Sequence, residues 1–330
     1  MRSNRLLLAA AMSGALAFGA AACGDDEESP SGATATEGQA SSDGGGELSG
    51  TIRIDGSSTV FPFAQAAAEL FNEESPDVRI TVGQSGTGGG FEKFCAGETD
   101  ISDASRPIDE EEEVPICEEA GVSYEEVTVA NDGIAVVTNP ALEVDCLTVD
   151  QLKEIWGPKS KVQSLSDVDP SLPDGELTLF GPGTDSGTFD FFTDQVNGEE
   201  GVSREDYEAS EDDNQLVTGV AGSKGGMGYF GFSYYEPNQD KLNLVGVGED
   251  ESSCTKPSLE SIQDGSYKPL SRPIFMYPSA EALQRPEVKA FMTFTLENEQ
   301  AISEAANIVP LTEEQLAEAQ QKLESLGGGA

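Results

Sequence analysis

Short apolar runs and helix-period segments alternate along most of the chain. Thr51, Ile52, Arg53 and Ile54 form a short apolar strand, and small polar residues follow before a segment, 63–72, whose apolar spacing predicts a helix. The pattern then repeats. A strand over 78–82 leads to a glycine-rich loop over 83–90 and a helix over 91–96. The stretch 100–107 reads as a strand ending in a polar tip. Further on, 127–130 runs through Asn131, Asp132 and Gly133 into the apolar 134–137, long enough to cross between two bodies. The strand 177–180 enters a Gly/Pro/Ser/Thr loop, and a helix is predicted over 189–196. A second crossing is expected over 270–277. Near the end, Thr312 and Gln315 have the spacing of a capping box ahead of Leu316, Ala319 and Leu323. Strands alternating with helices predict an α/β fold with a largely parallel sheet.

In such sheets ligands collect beyond the carboxyl ends of the strands. Three polar loops are expected there: one at Ser57, Ser58 and Thr59, one at Ser85, Gly86 and Thr87, and one at Ser186, Gly187 and Thr188. A strand, a small polar loop and a helix together present backbone N–H groups at a helix N-terminus, which binds anions. Small residues let the backbone come close, and hydroxyls add rotatable donors. A single loop of this kind reads as a turn with a helix cap. Three of them point to one anion site. Arg106 and Arg272 sit in suggestive Ser-Arg-Pro turns and add candidate charged forks.

The pattern breaks at the N-terminus. Arg2 and Arg5 precede an uncharged run to Ala22, and Cys23 opens an acidic stretch. Residues 1–22 read as a signal peptide and Cys23 as a lipidation site, with Ala20 standing where such signals usually carry leucine. Residues 23–47 have no large apolar residue and are expected to be a lipidated, disordered tether. Without Cys23 four cysteines remain, and an even number in an exported chain suggests two disulfides. Three pairings are possible. Proximity favours Cys95–Cys117 and Cys146–Cys254 over the others and over a zinc site, which would need a close cysteine pair.

The chain has 330 residues, enough for two domains. Its 61 Asp and Glu against 18 Lys and Arg give a formal net charge of −43, which argues against nucleic acid and anionic membrane as partners. This acidity does not exclude anion binding, because surface charge is screened within about 10 Å at ~0.1 M salt. The absence of histidine removes Ser-His-Asp and Cys-His catalysis and histidine-ligated metal sites. Nothing in the pattern calls for a metal or a cofactor. No nucleotide-binding loop and no nucleophile elbow is present.

Gly56-Ser57-Ser58-Thr59-Val60-Phe61-Pro62, Ser85-Gly86-Thr87-Gly88, Asp100-Ile101-Ser102-Asp103-Ala104-Ser105-Arg106 and Asp185-Ser186-Gly187-Thr188 resemble motifs of the substrate-binding proteins of bacterial high-affinity phosphate ABC importers. The resemblance runs from about Thr51 to beyond Phe294. It implies a two-lobed periplasmic-binding-protein-like fold of type II, each lobe a mainly parallel sheet flanked by helices, with hinge crossovers. Lobe one would be 48–133 plus 270–330, and lobe two 134–269. It implies an exported, membrane-anchored monomer, not an enzyme, that captures inorganic phosphate and delivers it to an ABC permease. The implied contacts are Thr59 with the Val60 backbone, Ser85, and Ser186, Gly187 and Thr188. Ser58, Gly86, Thr87 and Ser105 join them from the same motifs. Two positions depart from the family. Pro182 stands where many members have an arginine, leaving Arg106 or Arg272 for the charged contact. Asp103 and Asp185 are both candidates for the aspartate that accepts a phosphate proton. Rival readings are a binder of sulfate, molybdate or arsenate, a metal-dependent phosphatase, and a surface sensor.

Overall fold

Strand β1 (Gly50–Gly56) buries Ile52 and Ile54 on one face and exposes the residues between, as a period of two requires. The computed structural model describes residues 48–184 and 186–327. Helix α1 (Phe61–Glu74) follows, with Pro62 in its first turn and Phe63, Ala64, Ala67, Ala68 and Phe71 on one buried stripe. Phe71 meets Phe291 and Phe294 edge-on at 5.5 and 5.3 Å between ring centres. Burying Phe71 and Phe291 contributes roughly 1.5–3 kcal/mol each. β2 (Val78–Val82), α2 (Gly86–Cys95), β3 (Ile101–Ala104) and α3 (Val114–Ala120) complete the first stretch.

Helix α2 corrects one expectation. The glycine-rich segment over 83–90 is not a loop throughout, because the helix already begins at Gly86. The reason is close approach: a Cβ on Gly90 would lie 2.5 Å from the Gly56 Cα and 3.1 Å from the Asp55 carbonyl oxygen. Glycines there let the helix lie directly on β1 at a cost in helix propensity.

β4 (Val127–Thr138) runs unbroken through Asn131, Asp132 and Gly133. β5 (Cys146–Thr148), α4 (Val149–Trp156), β6 (Thr178–Pro182) and α5 (Gly187–Phe192) come next. A π-helical turn over Thr193–Asn197 continues α5. Then come β7 (Glu208–Ser210), α6 (Asp213–Gly222), β8 (Gly226–Gly231), α7 (Phe232–Tyr235), β9 (Asn243–Gly248) and α8 (Leu259–Gln263). β10 (Ser271–Pro278), α9 (Pro286–Glu297), α10 (Glu299–Ala306) and α11 (Glu313–Gly327) close the chain. The box before α11 is present: Thr312 N donates to Gln315 Oε1 (2.9 Å) and Gln315 N to Thr312 Oγ1 (3.1 Å).

The strand order is β2-β1-β3-β10-β4-β8-β6-β7, with β9 also paired to β4 and β5 paired to β9. At one end β2, β1 and β3 are parallel, and at the other β8, β6 and β7 are parallel. The middle differs from the expectation of a parallel sheet, since β10 and β4 run antiparallel to their neighbours. β4 belongs to both halves. Val127, Val129 and Ala130 pack in one hydrophobic core, and Ile134 to Val137 in a second. The result is a two-lobed fold crossed by β4 and β10. A third crossing is the backbone pairing of Asn131 with Val309, which itself joins the second core.

Disulfides Cys95–Cys117 and Cys146–Cys254 are both formed, linking α2 to α3 and β5 to the segment after β9. Among the described residues no helix is long and apolar enough to cross a membrane. The expected signal peptide, tether and lipidated Cys23 lie outside the described residues.

Candidate anion-binding cleft

The carboxyl ends of β1, β2 and β3, α5 and the start of β10 surround a cleft of ≈ 630 Å³. Ser57, Ser58 and Thr59 line it from the β1–α1 turn. Gly56 makes that turn at φ 151°, and the turn is held by Ser57 N donating to the Asp103 carbonyl at 2.9 Å. No side chain caps α1. Val60 is fully buried in the core, so only its backbone is available to a ligand.

From α2 come Ser85, Gly86 and Thr87. The Ser85 hydroxyl donates to Asp55 Oδ1 at 2.5 Å, and Lys93 holds the other Asp55 oxygen at 2.6 Å. Thr87 and Ser105 share a hydroxyl contact of 3.1 Å, and Ser105 N donates to Thr87 Oγ1 at 3.2 Å. From the second lobe, Ser186 caps α5 by accepting Thr188 N at 3.2 Å. Gly187 is the close approach between the lobes: a Cβ there would overlap the Thr59 amide and come within 2.7 Å of Ser58 Oγ. Asp185 lies outside the described residues.

The two arginines differ. Arg106 lines the cleft, but both its terminal nitrogens hold Glu113 at 2.8 Å, and that bond raises its pKa. Arg272 lies at the convergence of the loops. Its Nη2 donates to Thr59 Oγ1 at 2.8 Å, and its Nε to Asp132 Oδ2 at 3.4 Å. Its guanidinium sits 3.7 Å above the Phe191 ring. Arg272 faces Asp132 directly across the β10–β4 ladder, so strand register sets the ion pair. Burial raises the pKa of Asp132, and the Arg272 charge opposes that shift. Arginine remains charged in such a place.

Asp103 is completely buried beneath the Ser57 turn and does not line the cleft. Neither of its carboxyl oxygens has a hydrogen-bond partner among the described residues. Burial, and then Asp55, push its pKa well above the usual carboxylate range. Among the described residues no cluster of His, Cys, Asp or Glu is arranged to hold a metal.

The structure thus brings Ser58, Thr59, Ser85, Gly86, Thr87, Ser105 and Arg106 into the lining of one cleft, with Gly187 against Thr59 and Asp103 beneath, while Ser186 and Thr188 are not among the lining residues. Sequence reasoning missed Asp190, Phe191 and Asp132. The first two read as ordinary positions of a predicted helix, and Asp132 as part of a polar link between apolar runs.

A family model described as the PBP superfamily domain matches residues 35–299. The chain belongs to the PBP superfamily. Among its relatives, protein SphX of Synechococcus elongatus is 42% identical over 276 residues, covering 83% of this chain and 81% of that one. The phosphate-binding protein PstS of Staphylococcus saprophyticus is 40% identical over 285 residues, covering 86% and 87%. A crystal structure of a possible phosphate binding protein from Planctomyces limnophilus has 45% identity and a TM-score of 0.80, covering 84% of this chain and 99% of that one. A putative phosphate ABC transporter substrate-binding protein from Clostridium perfringens, solved with bound phosphate, has 29% identity and a TM-score of 0.54, covering 80% and 100%. The similarity spans both lobes, so this superfamily member carries every loop that forms the cleft.

Proposed function

We propose that this chain captures inorganic phosphate in the interlobe cleft and delivers it to a membrane ABC permease, without chemistry of its own. The observation that carries the reading is Arg272. It is a largely buried cation where hydroxyl and amide donors from both lobes meet, with one flank already fixed by Asp132 and Thr59. A tetrahedral oxyanion needs donors from several sides, and fixed donors stabilise it without reorganising. Thr59, Thr87, Ser105 and the α5 cap at Ser186 to Thr188 supply them, while Ser85, whose hydroxyl donates to Asp55, shapes the loop. Asp103 lies below the cleft, where burial raises its pKa.

Residues 48–133 plus 270–330 form one lobe and 134–269 the other, and the lobes close about β4 and β10. Residues 1–22 direct export, and a lipid on Cys23 anchors the monomer to the outer face of the membrane through the tether of residues 24–47. The relatives named for phosphate binding support this reading.

Calorimetric titration of the purified chain with phosphate tests it. Phosphate is expected to bind tightly, and Arg272→Gln to weaken binding by about 10- to 150-fold, the worth of one hydrogen bond to a charged group. Absence of phosphate binding by the unaltered chain overturns the reading.

A further inference from the structure

Gly187 and Phe191 are four residues apart in α5, so they share a face of the helix. Gly187 lies against Thr59, and the Phe191 ring lies 3.7 Å from the Arg272 guanidinium. Thr59 and Arg272 are themselves joined, Nη2 donating to Oγ1 at 2.8 Å. One face of α5 therefore seats on a hydrogen-bonded pair that comes from two segments of the chain far apart in sequence.

Phe191 is 5% exposed and packs in the second hydrophobic core. An aliphatic side chain could bury itself there too. What it would lack is a flat face carrying the negative side of a ring quadrupole. A guanidinium is planar, keeps its charge and stacks on such a face. The other contacts of Arg272 are few. Its Nε donates to Asp132, and Nη2 to Thr59. Its Nη1 has no hydrogen-bond partner among the described residues, although the residue lines the cleft. One edge, one terminal nitrogen and one face of the guanidinium are thus held, and Nη1 is the donor left over. A mobile side chain that is immobilised on gripping a ligand lowers affinity by about 2- to 10-fold. A ring that already confines the guanidinium removes that loss.

We propose that Phe191 is a positioning residue whose ring seats on Arg272 as the lobes close and holds the remaining guanidinium nitrogen for the bound anion. This inference rests on the phosphate reading. It makes α5 act twice, since the helix whose first turn meets the β1–α1 turn also orients the arginine. The stack forms as the lobes come together, so Phe191 governs how long the anion stays more than how fast it arrives.

The test measures phosphate binding by calorimetry, and release of radiolabelled phosphate, for the full chain and for Phe191→Leu, Phe191→Tyr, Arg272→Gln and the double variant Phe191→Leu/Arg272→Gln. Phe191→Leu is expected to weaken binding by about 2- to 30-fold, the worth of a cation–ring contact, and to speed release by a similar factor. Phe191→Tyr keeps the ring face and is expected to match the unaltered chain. In the Arg272→Gln background, Phe191→Leu is expected to add less than about twofold, because the group it positions is gone. A Phe191→Leu chain that binds as tightly as the unaltered one overturns the proposal. So does equal weakening by leucine and tyrosine, or a leucine effect undiminished in the Arg272→Gln background. If Phe191→Leu fails to fold, side-chain NMR of the phosphate-bound unaltered chain decides. An Arg272 signal, assigned by its loss in Arg272→Gln, that is shifted upfield by the ring supports the proposal, and an unshifted one overturns it. Failure of the unaltered chain to bind phosphate would instead remove the reading beneath it.

Discussion

Asp213 shows how a single side chain ties this molecule to pH. It opens α6, where burial first, and then Asp212, Glu211 and Asp132, raise its pKa to about 7. In the unfolded chain the same carboxyl returns to about 3.8. Between those values the native state holds more protons than the unfolded one, so stability falls as pH rises through the window. Asp213→Asn should therefore stabilise the protein on the order of 1–2 kcal/mol at pH 8, after screening of a partly exposed group, with no gain below pH 4. Thermal unfolding at both pH values checks this. Asp103 follows the same sign, since burial raises its pKa as well. Asp103→Asn should raise the melting temperature of the ligand-free chain above neutrality and leave it unchanged in acid, because the uncompensated charge is removed only where it exists.

The contact between α5 and the β1–α1 turn is where elements, more than residues, set the function. Gly187 allows the turn to approach, and any Cβ would meet the Thr59 amide. That clash exists only when the lobes are together. Gly187→Ala is expected to leave the unfolding temperature nearly unchanged while weakening phosphate binding by roughly 5- to 150-fold, the effect of an overpacking cost of about 1–3 kcal/mol. Gly90→Ala makes the contrast. Its clash with Gly56 lies inside one lobe and persists in every state, so it should lower the melting temperature itself. Calorimetry and thermal unfolding on the two variants separate closure from folding. The single tryptophan, Trp156, helps here. It is fully buried and packs edge-on against Phe192 at the end of α5, so its emission should change on ligand binding if α5 moves.

Across the whole molecule the formal charge of −43 dominates. Like charges repel more in the compact state than in the expanded chain, and salt shortens their reach from about 30 Å at ~0.01 M to about 3 Å at ~1 M. The melting temperature should rise with sodium chloride over that range. A flat or falling response would mean that local ion pairs such as Asp55–Lys93 and Arg106–Glu113 outweigh the net charge. Phosphate affinity should respond less than stability does, because the proposed donors, Arg272 included, are fixed at short range and Arg272 is largely buried. Reduction of Cys146–Cys254, which joins residues 108 positions apart, should destabilise the second lobe by about 2–4 kcal/mol.

Local chemistry was legible in the residue order. Alternating apolar runs placed the strands, the Thr312–Gln315 box marked the last helix, and Ser/Thr/Gly turns at strand ends marked the loops of the proposed anion site. These signals lie within a few residues of each other, where spacing alone sets geometry. Arg272 and Asp132 meet because two strands far apart in sequence lie antiparallel in one register. Asp190 reaches Ser58, 132 positions away, because α5 from one lobe closes on a turn of the other. The glycines of α2 looked like a loop because their reason for being glycine, the backbone of β1, is supplied by a different segment. Sequence determined which elements form and which of their ends carry donors. Tertiary structure decided which charges face one another in the cleft, because burial and cross-strand pairing depend on what the fold brings next to each group.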